Sequence, residues 1–485
     1  MAPKRLVLCF DGTDNKYSAS ETDSNIVKIY ELMDRESLEQ YHYYQPGIGT
    51  YVPNKLNNST GGLRDKIAML RDSGFGTYFV NHVIGGYQFL LRYYNQGDKI
   101  YIFGFSRGAY TARFLSEMID NIGLLSMGNE EMIYFAWEAF CDYQKNRGAD
   151  KKKETEKENF MKQYKLSFCR TCDGDKGEVK VHFLGLFDCV NSVLAFSTAK
   201  SMPMPHHQEH PENSYPANFV RHAVSIHERR GLFQPVLFDP EPGAQEEPPS
   251  GTTQLVERWF AGNHGDVGGG WKAHTHLKEK EPYLLSDIPL MWMIEQVREV
   301  EEAASKRGDK NILAWRETFP QSADIDFKIV RSGNWESVCE HAQKQINLWD
   351  LEKNDTPKPA DRIRKVQRRL HDVLKSGTDG PGPKGLEEWF RKWTKRSFWW
   401  VTEHVPVLRW HRVAVGSEGP HVKHWRMTRS LNHGRPRDIP EHAWAHWSVP
   451  KLRECQVKGV GALDRMNRNA EKFKNVERGP PEQAI

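Results

Sequence analysis

The pentapeptide Gly104-Phe105-Ser106-Arg107-Gly108 constrains this chain more than any other stretch, because of what flanks it. Residues 99–103 (KIYIF) have the β-branched and aromatic content of a buried strand, and residues 108–119 have the apolar spacing of a helix. A strand and a helix joined by so few residues must turn very sharply. The positions two before and two after the serine then pass so close to neighbouring backbone that a Cβ would clash, which explains Gly104 and Gly108. Such a turn lifts the Ser106 hydroxyl clear of the sheet, at the N-terminus of the next helix, where a nucleophile stands.

The rest of the first 300 residues supplies a sheet for this turn to sit on. Arg5–Phe10, residues 41–45, residues 180–187 and Leu255–Phe260 read as further strands. Helical patterns lie between them at 25–33, 75–94, 132–145 and 217–229, and a later one covers 286–307. Residues 151–162 (KKKETEKENFMK) read as a solvated helix or loop. Strands alternating with helix-length segments predict an α/β fold, a mainly parallel sheet flanked by helices. Reactive groups in such sheets gather beyond the carboxyl ends of the strands.

A serine hydroxyl needs a base, and the base needs an orienting carboxylate. Asp188 closes the strand at 180–187, where a carboxylate after a long apolar run is costly unless partnered. His264 follows Leu255–Phe260 in the glycine-dense loop Gly262-Asn263-His264-Gly265-Asp266-Val267-Gly268-Gly269-Gly270. The chain order Ser106, Asp188, His264 is that of an α/β-hydrolase triad. Asp266 is the competing acid, or a brace for the loop. A tetrahedral intermediate also needs two N–H donors. One is expected from Arg107. The other is expected from Gly12 or Thr13, after Asp11, if Arg5–Phe10 lies beside residues 99–103. Strand-Asp-Gly-Thr also invites an aspartyl-phosphate reading, but that chemistry wants a second Asp at position 13, where Thr13 stands.

Other clusters read more plainly. His206, His207 and His210 sit in a proline-rich stretch and read as a solvent loop rather than a metal site. Cys169-x-x-Cys172 lacks the second ligand pair zinc would need. His227-Glu228-Arg229-Arg230 reads as a salt-bridged turn. No metal and no cofactor is expected.

Composition narrows the partners. The 485 residues carry a net charge of +4, too mild and too dispersed to argue for nucleic acid. No run approaches the roughly 18 apolar residues of a membrane span, and the N-terminus is too short in apolar residues for a signal peptide. Seven cysteines, an odd number, fit a reducing compartment, and the expected location is cytoplasmic. The texture changes after about residue 310. We expect a catalytic domain over 1–310 and a mostly helical, Trp/His/Arg-rich extension or cap over 311–485, with polar linkers at 352–364 and 376–384. Trp389, Trp393, Trp399, Trp400 and Trp410 stand among arginines and lysines. These rings either pack on the first domain as a cap or seat the chain peripherally at a membrane surface.

Six blocks, FDGTDN (10–15), YYQPGIGT (43–50), GFSRGAYTAR (104–113), FLGLFDCVNSV (183–193), RHAVSIHERRGLFQP (221–235) and WFAGNHGDVGGGW (259–271), appear in the order found in a known family. The chain resembles the α/β-hydrolase domain family that includes the catalytic domains of type VI secretion phospholipase effectors. The resemblance implies an α/β-hydrolase fold, a triad of Ser106, Asp188 and His264, and hydrolysis of a carboxyl ester, with a lipid ester as the expected substrate. Cys189 stands where the family usually has Thr, His227 where an acidic residue is common, and Asn263-His264-Gly265-Asp266 replaces Val-His-Ser-Asp. The C-terminal part looks more like that of fungal members. The competing class is a scaffold or regulatory protein that keeps the hydrolase fold without its chemistry.

Overall fold

A computed structural model describes residues 3–13, 15–18, 22–47, 74–146, 151–170, 179–190, 215–238, 254–271, 284–316, 407–414, 423–430, 437, 439, 443–446, 449 and 475–476. The strands in chain order are β1 (Arg5–Phe10), β2 (Gln40–Gln45), β3 (Lys99–Phe105), β4 (Val181–Phe187), β5 (Ala217–Ser225), β6 (Leu255–Phe260), β7 (Val407–Ala414), β8 (Lys423–Ser430), β9 (Trp444–Ala445) and β10 (Asn475–Val476). The helices are α1 (Asn25–Leu32), α2 (Gly74–Tyr93), α3 (Arg107–Ile122), α4 (Ile133–Asn146), α5 (Lys151–Phe168), α6 (His264–Gly268) and α7 (Asp287–Lys306).

Eight strands form one sheet in the order β10-β9-β6-β5-β4-β3-β1-β2. Every pairing in it is parallel. The expected neighbourhood of β1 and β3 is present, with Phe10 opposite Gly104. From β1 the chain moves outward to β2, then returns to lay β3 on the other side of β1. The strand order therefore reverses between β1 and β3, and in open α/β sheets the crevice at such a switch point is where ligands bind. The loop after β1 and the turn after β3 both end there.

Both faces of the sheet are covered, so its strands alternate between two apolar layers. Leu6, Leu8 and Phe10 of β1 join Val83 and Tyr87 of α2 and Phe114 and Leu115 of α3. Val7 and Cys9 point the other way, into a layer with Ile26 and Ile29 of α1, Phe103 and Phe183 of the sheet, and Met293 and Val297 of α7. Each fully buried side chain of this size contributes about 1.5–3 kcal/mol, so β1 alone anchors the sheet from both sides.

One expectation is corrected. Residues 217–229, read as a helix, form β5 and a turn. Ala217, Val220, Ala223 and Val224 do fall at helical spacing, but β5 lies between β4 and β6 and is buried along most of its length. Burial on both faces erases the alternation that marks an edge or half-exposed strand. His222 therefore stands in the sheet, its Nδ1 2.8 Å from Glu257, and not on a helix face. Most of the C-terminal part, expected to be mostly helical, lies outside the described residues, and the named elements among those that are described are strands. β7 and β8 pair antiparallel, with Trp410 opposite Met427, and β9 and β10 extend the main sheet. Short β additions to a sheet edge depend on a distant partner strand, which local sequence does not announce. Trp389, Trp393, Trp399, Trp400, His206, His207, His210, Cys172 and both linkers lie outside the described residues.

The run at 151–162 belongs to the largely exposed helix α5. Among the described residues, no helix is long and apolar enough to cross a membrane.

Candidate active site

The turn between β3 and α3 holds Ser106 at φ 59° and ψ −123°, a conformation a side-chain-bearing residue adopts only when its surroundings force it. The surroundings are backbone. A Cβ on Gly104 would stand 2.6 Å from the Cα of Ala109, and one on Gly108 would stand 2.3 Å from the carbonyl oxygen of Phe10. The two glycines thus let α3 start directly against β3 and β1. Ser106 N–H donates to the Phe187 carbonyl at 3.0 Å, which ties the turn to the end of β4. Ser106 is 4% exposed.

Asp188 and His264 converge on this serine. His264 Nε2 lies 2.7 Å from Ser106 Oγ, and its Nδ1 lies 2.6 Å from Asp188 Oδ2. These partners assign the neutral imidazole as Nδ1–H, donating to the carboxylate, with Nε2 accepting from the hydroxyl. Asp188 also has a positive φ, 42°, and is fully buried. Its Oδ1 accepts from Ser225 N–H at 2.8 Å, and its Oδ2 accepts from Ser225 Oγ at 3.1 Å.

The loop that carries His264 is built by Asn263. Its side chain caps α6 by accepting from Gly265 N–H and Asp266 N–H, while Asp266 Oδ2 accepts in return from Asn263 N–H at 2.9 Å. Asp266 is therefore engaged as a brace of the loop, and the carboxylate in contact with the imidazole is that of Asp188. The salt-bridged turn at 227–230 joins this brace. Glu228 pairs with Arg230 at 2.7 Å and accepts from His264 N–H at 3.3 Å. His227 Nδ1 accepts from Gly262 N–H at 2.9 Å.

Aromatic rings enclose the imidazole. Phe105 lies 4.7 Å from it and Phe233 4.8 Å, the latter edge-on. Burial disfavours the charged imidazolium and outweighs the stabilising contact with Asp188, so the His264 pKa is lowered. Burial alone would raise Asp188. The Arg437 guanidinium and the hydrogen bond from His264 overcome it, holding the carboxyl far below the usual range. Glu228 is likewise pushed up by burial but held down to about 2 by Arg230.

The loop after β1 abuts the turn: a Cβ on Gly12 would stand 2.7 Å from the Phe105 ring. Asp11 fixes this loop. Its carboxylate accepts from Ser24 Oγ at 2.6 Å, Tyr44 hydroxyl at 2.7 Å and Gly12 N–H at 2.7 Å. Burial raises the Asp11 pKa to about 6 in spite of these donors. Gly12 N–H is thus directed at Asp11, and of the two candidate donors in this loop only Thr13 keeps its N–H outside that network. Arg107 opens α3 directly after the serine.

Two contributors escaped sequence reasoning. Ser225 ends β5, whose residue spacing mimics a helix. Arg437 lies 249 residues from Asp188 in the chain, and its Nη1 donates to Asp188 Oδ1 at 2.5 Å. No local pattern marks it. Among the described residues no cluster of three His, Cys, Asp or Glu is arranged to hold a metal ion. The described cysteines, Cys9, Cys141, Cys169 and Cys189, are buried thiols.

Comparison with known proteins places this site in context. Residues 4–296 match the family model described as T6SS phospholipase effector Tle1-like, catalytic domain. An uncharacterized protein of Saccharomyces cerevisiae (strain ATCC 204508 / S288c), YEL023C, is 27% identical, over 92% of this chain and 78% of its own length. Among solved structures, an uncharacterized protein from Pseudomonas aeruginosa is 17% identical over 83% of this chain, with a TM-score of 0.38. A Tle1 effector bound to the VgrG spike of the type 6 secretion system is 18% identical over 56% of this chain, with a TM-score of 0.28. The chain spans 60% and 52% of the lengths of those two solved chains.

Proposed function

The chain belongs to the family of T6SS phospholipase effector Tle1-like catalytic domains, and from that premise we propose that it is a serine hydrolase of lipid carboxyl esters. The observation that carries the reading is the continuous relay from Ser106 Oγ through His264 to Asp188, at 2.7 and 2.6 Å.

Ser106 Oγ attacks the ester carbonyl carbon as its proton passes to His264 Nε2. Asp188 keeps the ring in the Nδ1–H tautomer and stabilises the imidazolium that forms. The imidazolium then returns the proton to the departing alkoxide, leaving an acyl group on Ser106. Water enters, gives its proton to His264, and attacks the acyl carbon, and the proton goes back to Ser106 as the acid leaves. The oxyanion is received by Arg107 N–H, at the positive end of the α3 dipole, and by Thr13 N–H. One such donor is worth about 10²–10³ in kcat. The strained serine and the enclosed, neutral imidazole are both set before substrate arrives, which is what makes the electrostatics effective.

The test is covalent labelling with a fluorophosphonate. The full chain should be labelled, Ser106→Ala should not, and a panel of phospholipids and simple esters then ranks the acyl donor. A folded wild-type chain that takes up no label, and hydrolyses no ester on the panel, overturns the proposal in favour of a scaffold that keeps the fold.

A further inference from the structure

We propose that Arg437, from the part of the chain beyond the family match, is a positioning residue for the Asp188–His264 pair, and that it sets the pH at which the pair becomes competent. The inference rests on the reading of Ser106, His264 and Asp188 as the catalytic relay.

Arg437 is 1% exposed. Its guanidinium meets the Asp188 carboxylate in parallel, Nη1 to Oδ1 at 2.5 Å and Nη2 to Oδ2 at 2.9 Å. The same two nitrogens donate to backbone carbonyls, Nη1 to Ser225 at 2.9 Å and Nη2 to Phe233. This fork does two things. It fixes the plane of the carboxylate, because a bidentate pair specifies orientation as well as distance. It also holds Phe233, whose ring packs edge-on against His264. The carboxylate and the ring that frames the base are thus secured by one side chain.

The carboxylate is saturated as a result. Its two oxygens accept from Arg437 twice, from Ser225 N–H and Oγ, and from His264 Nδ1. A carboxylate offers about four lone-pair sites. Protonating Asp188 would require ejecting a donor, so the shared proton stays on His264 Nδ1.

Charge adds a second effect. The charged groups facing His264 are Asp188 from the end of β4 and Glu228 and Arg230 from the turn after β5, with Arg437 behind Asp188 and the Ser106 hydroxyl on the other ring nitrogen. Asp188 favours the imidazolium, and Arg437 offsets part of that negative charge. The base therefore stays neutral to lower pH than an unclamped Asp–His pair would allow.

The experiment uses the full chain in three forms: wild type, Arg437→Met and Arg437→Lys. Two readouts are taken against pH, the rate of fluorophosphonate labelling and the titration of the downfield His264 Nδ1 proton by NMR, and a third, kcat and KM, on the best ester of the substrate panel. In Arg437→Met we expect the acid limb and the NMR midpoint to move to higher pH, with kcat reduced and KM little changed. Arg437→Lys keeps the charge without the fork, so its acid limb should stay near wild type while kcat falls by about tenfold or more. Superimposable pH profiles for wild type and Arg437→Met overturn the proposal. Should Arg437→Met fail to fold by circular dichroism, Arg437→Lys decides, and wild-type kcat there overturns it. Failure of the hydrolase reading shows separately, as an unlabelled wild type, while the NMR titration still reports on Arg437.

Discussion

The ring of Phe105 lies 4.7 Å from the imidazole of His264 at an interplanar angle of 33°. Phe105 is the residue before the serine, so the turn that presents Ser106 also walls off the imidazole beside it. An apolar wall raises the cost of charging the imidazole, and the lowered His264 pKa follows. In the proposed mechanism His264 acts as a base, and it does so when neutral. Its competent form therefore persists below the ordinary histidine pKa of about 6.5. We expect the acid limb of kcat/KM, or of fluorophosphonate labelling, to have its midpoint below that value. A midpoint at or above it would show that the enclosure does not govern the base.

The turn itself tolerates no added carbon. In Gly108→Ala the new Cβ would meet the backbone carbonyls of Phe10 and Asp11 at 2.3 and 2.4 Å, and neither can swing aside as a side chain could. We expect a stability loss of about 1–3 kcal/mol from overpacking, seen as a lower denaturant midpoint. Labelling of Ser106 should be nearly lost even in the fraction that folds. A variant with wild-type stability and labelling would mean that the close approach of α3 to β1 is unnecessary.

Lys28 of α1 and Asp287 of α7 form an ion pair at 2.9 Å, both side chains 5% exposed. Removing one partner strands a buried charge. Lys28→Met should cost about 3–5 kcal/mol, and Lys28→Met combined with Asp287→Leu should recover much of it. Chemical denaturation of the two variants checks this, and a double variant no better than the single one would contradict it.

Glu228 titrates at about 2 in the fold, against an ordinary 4.5, because Arg230 outweighs the burial that would raise it. The unfolded chain therefore binds more protons between those two values. Stability contributed by Glu228 is present above pH 4.5 and is lost as pH falls through about 2. The Glu228→Gln variant lacks this component. Urea melts across that window should give a shallower pH dependence for it than for wild type, and parallel curves would remove Glu228 from the account.

Ser106, Asp188 and His264 were legible because each follows a strand within a few residues, and strand, turn and helix signals are local. The glycines at 104 and 108 announced the close approach that the backbone then makes. β5 was not legible, since a strand covered on both faces and flanked by two others shows no alternation, and its small apolar residues fall by chance at helical spacing. Ser225, at its end, was lost with it. The choice between Asp188 and Asp266 as the imidazole's partner also needed the fold, because both follow apolar strands or glycine loops and only distance separates them.

The sequence by itself determined the alternation of strands and helices, the sharp turn at Ser106 and the places of Asp188 and His264 just after strands, all consequences of local sterics and periodicity. Only the tertiary structure decided which carboxylate faces the imidazole, that the Gly12 N–H is turned toward Asp11, and that Arg437 closes on Asp188 from 249 residues away. The first and the last are contacts between segments far apart in the chain, and the second is set by Ser24 and Tyr44, which hold the Asp11 carboxylate from other elements. A side chain's charge and hydrogen-bonding capacity can be read from its identity, but the partner that uses them is fixed by which strand ends the fold brings together.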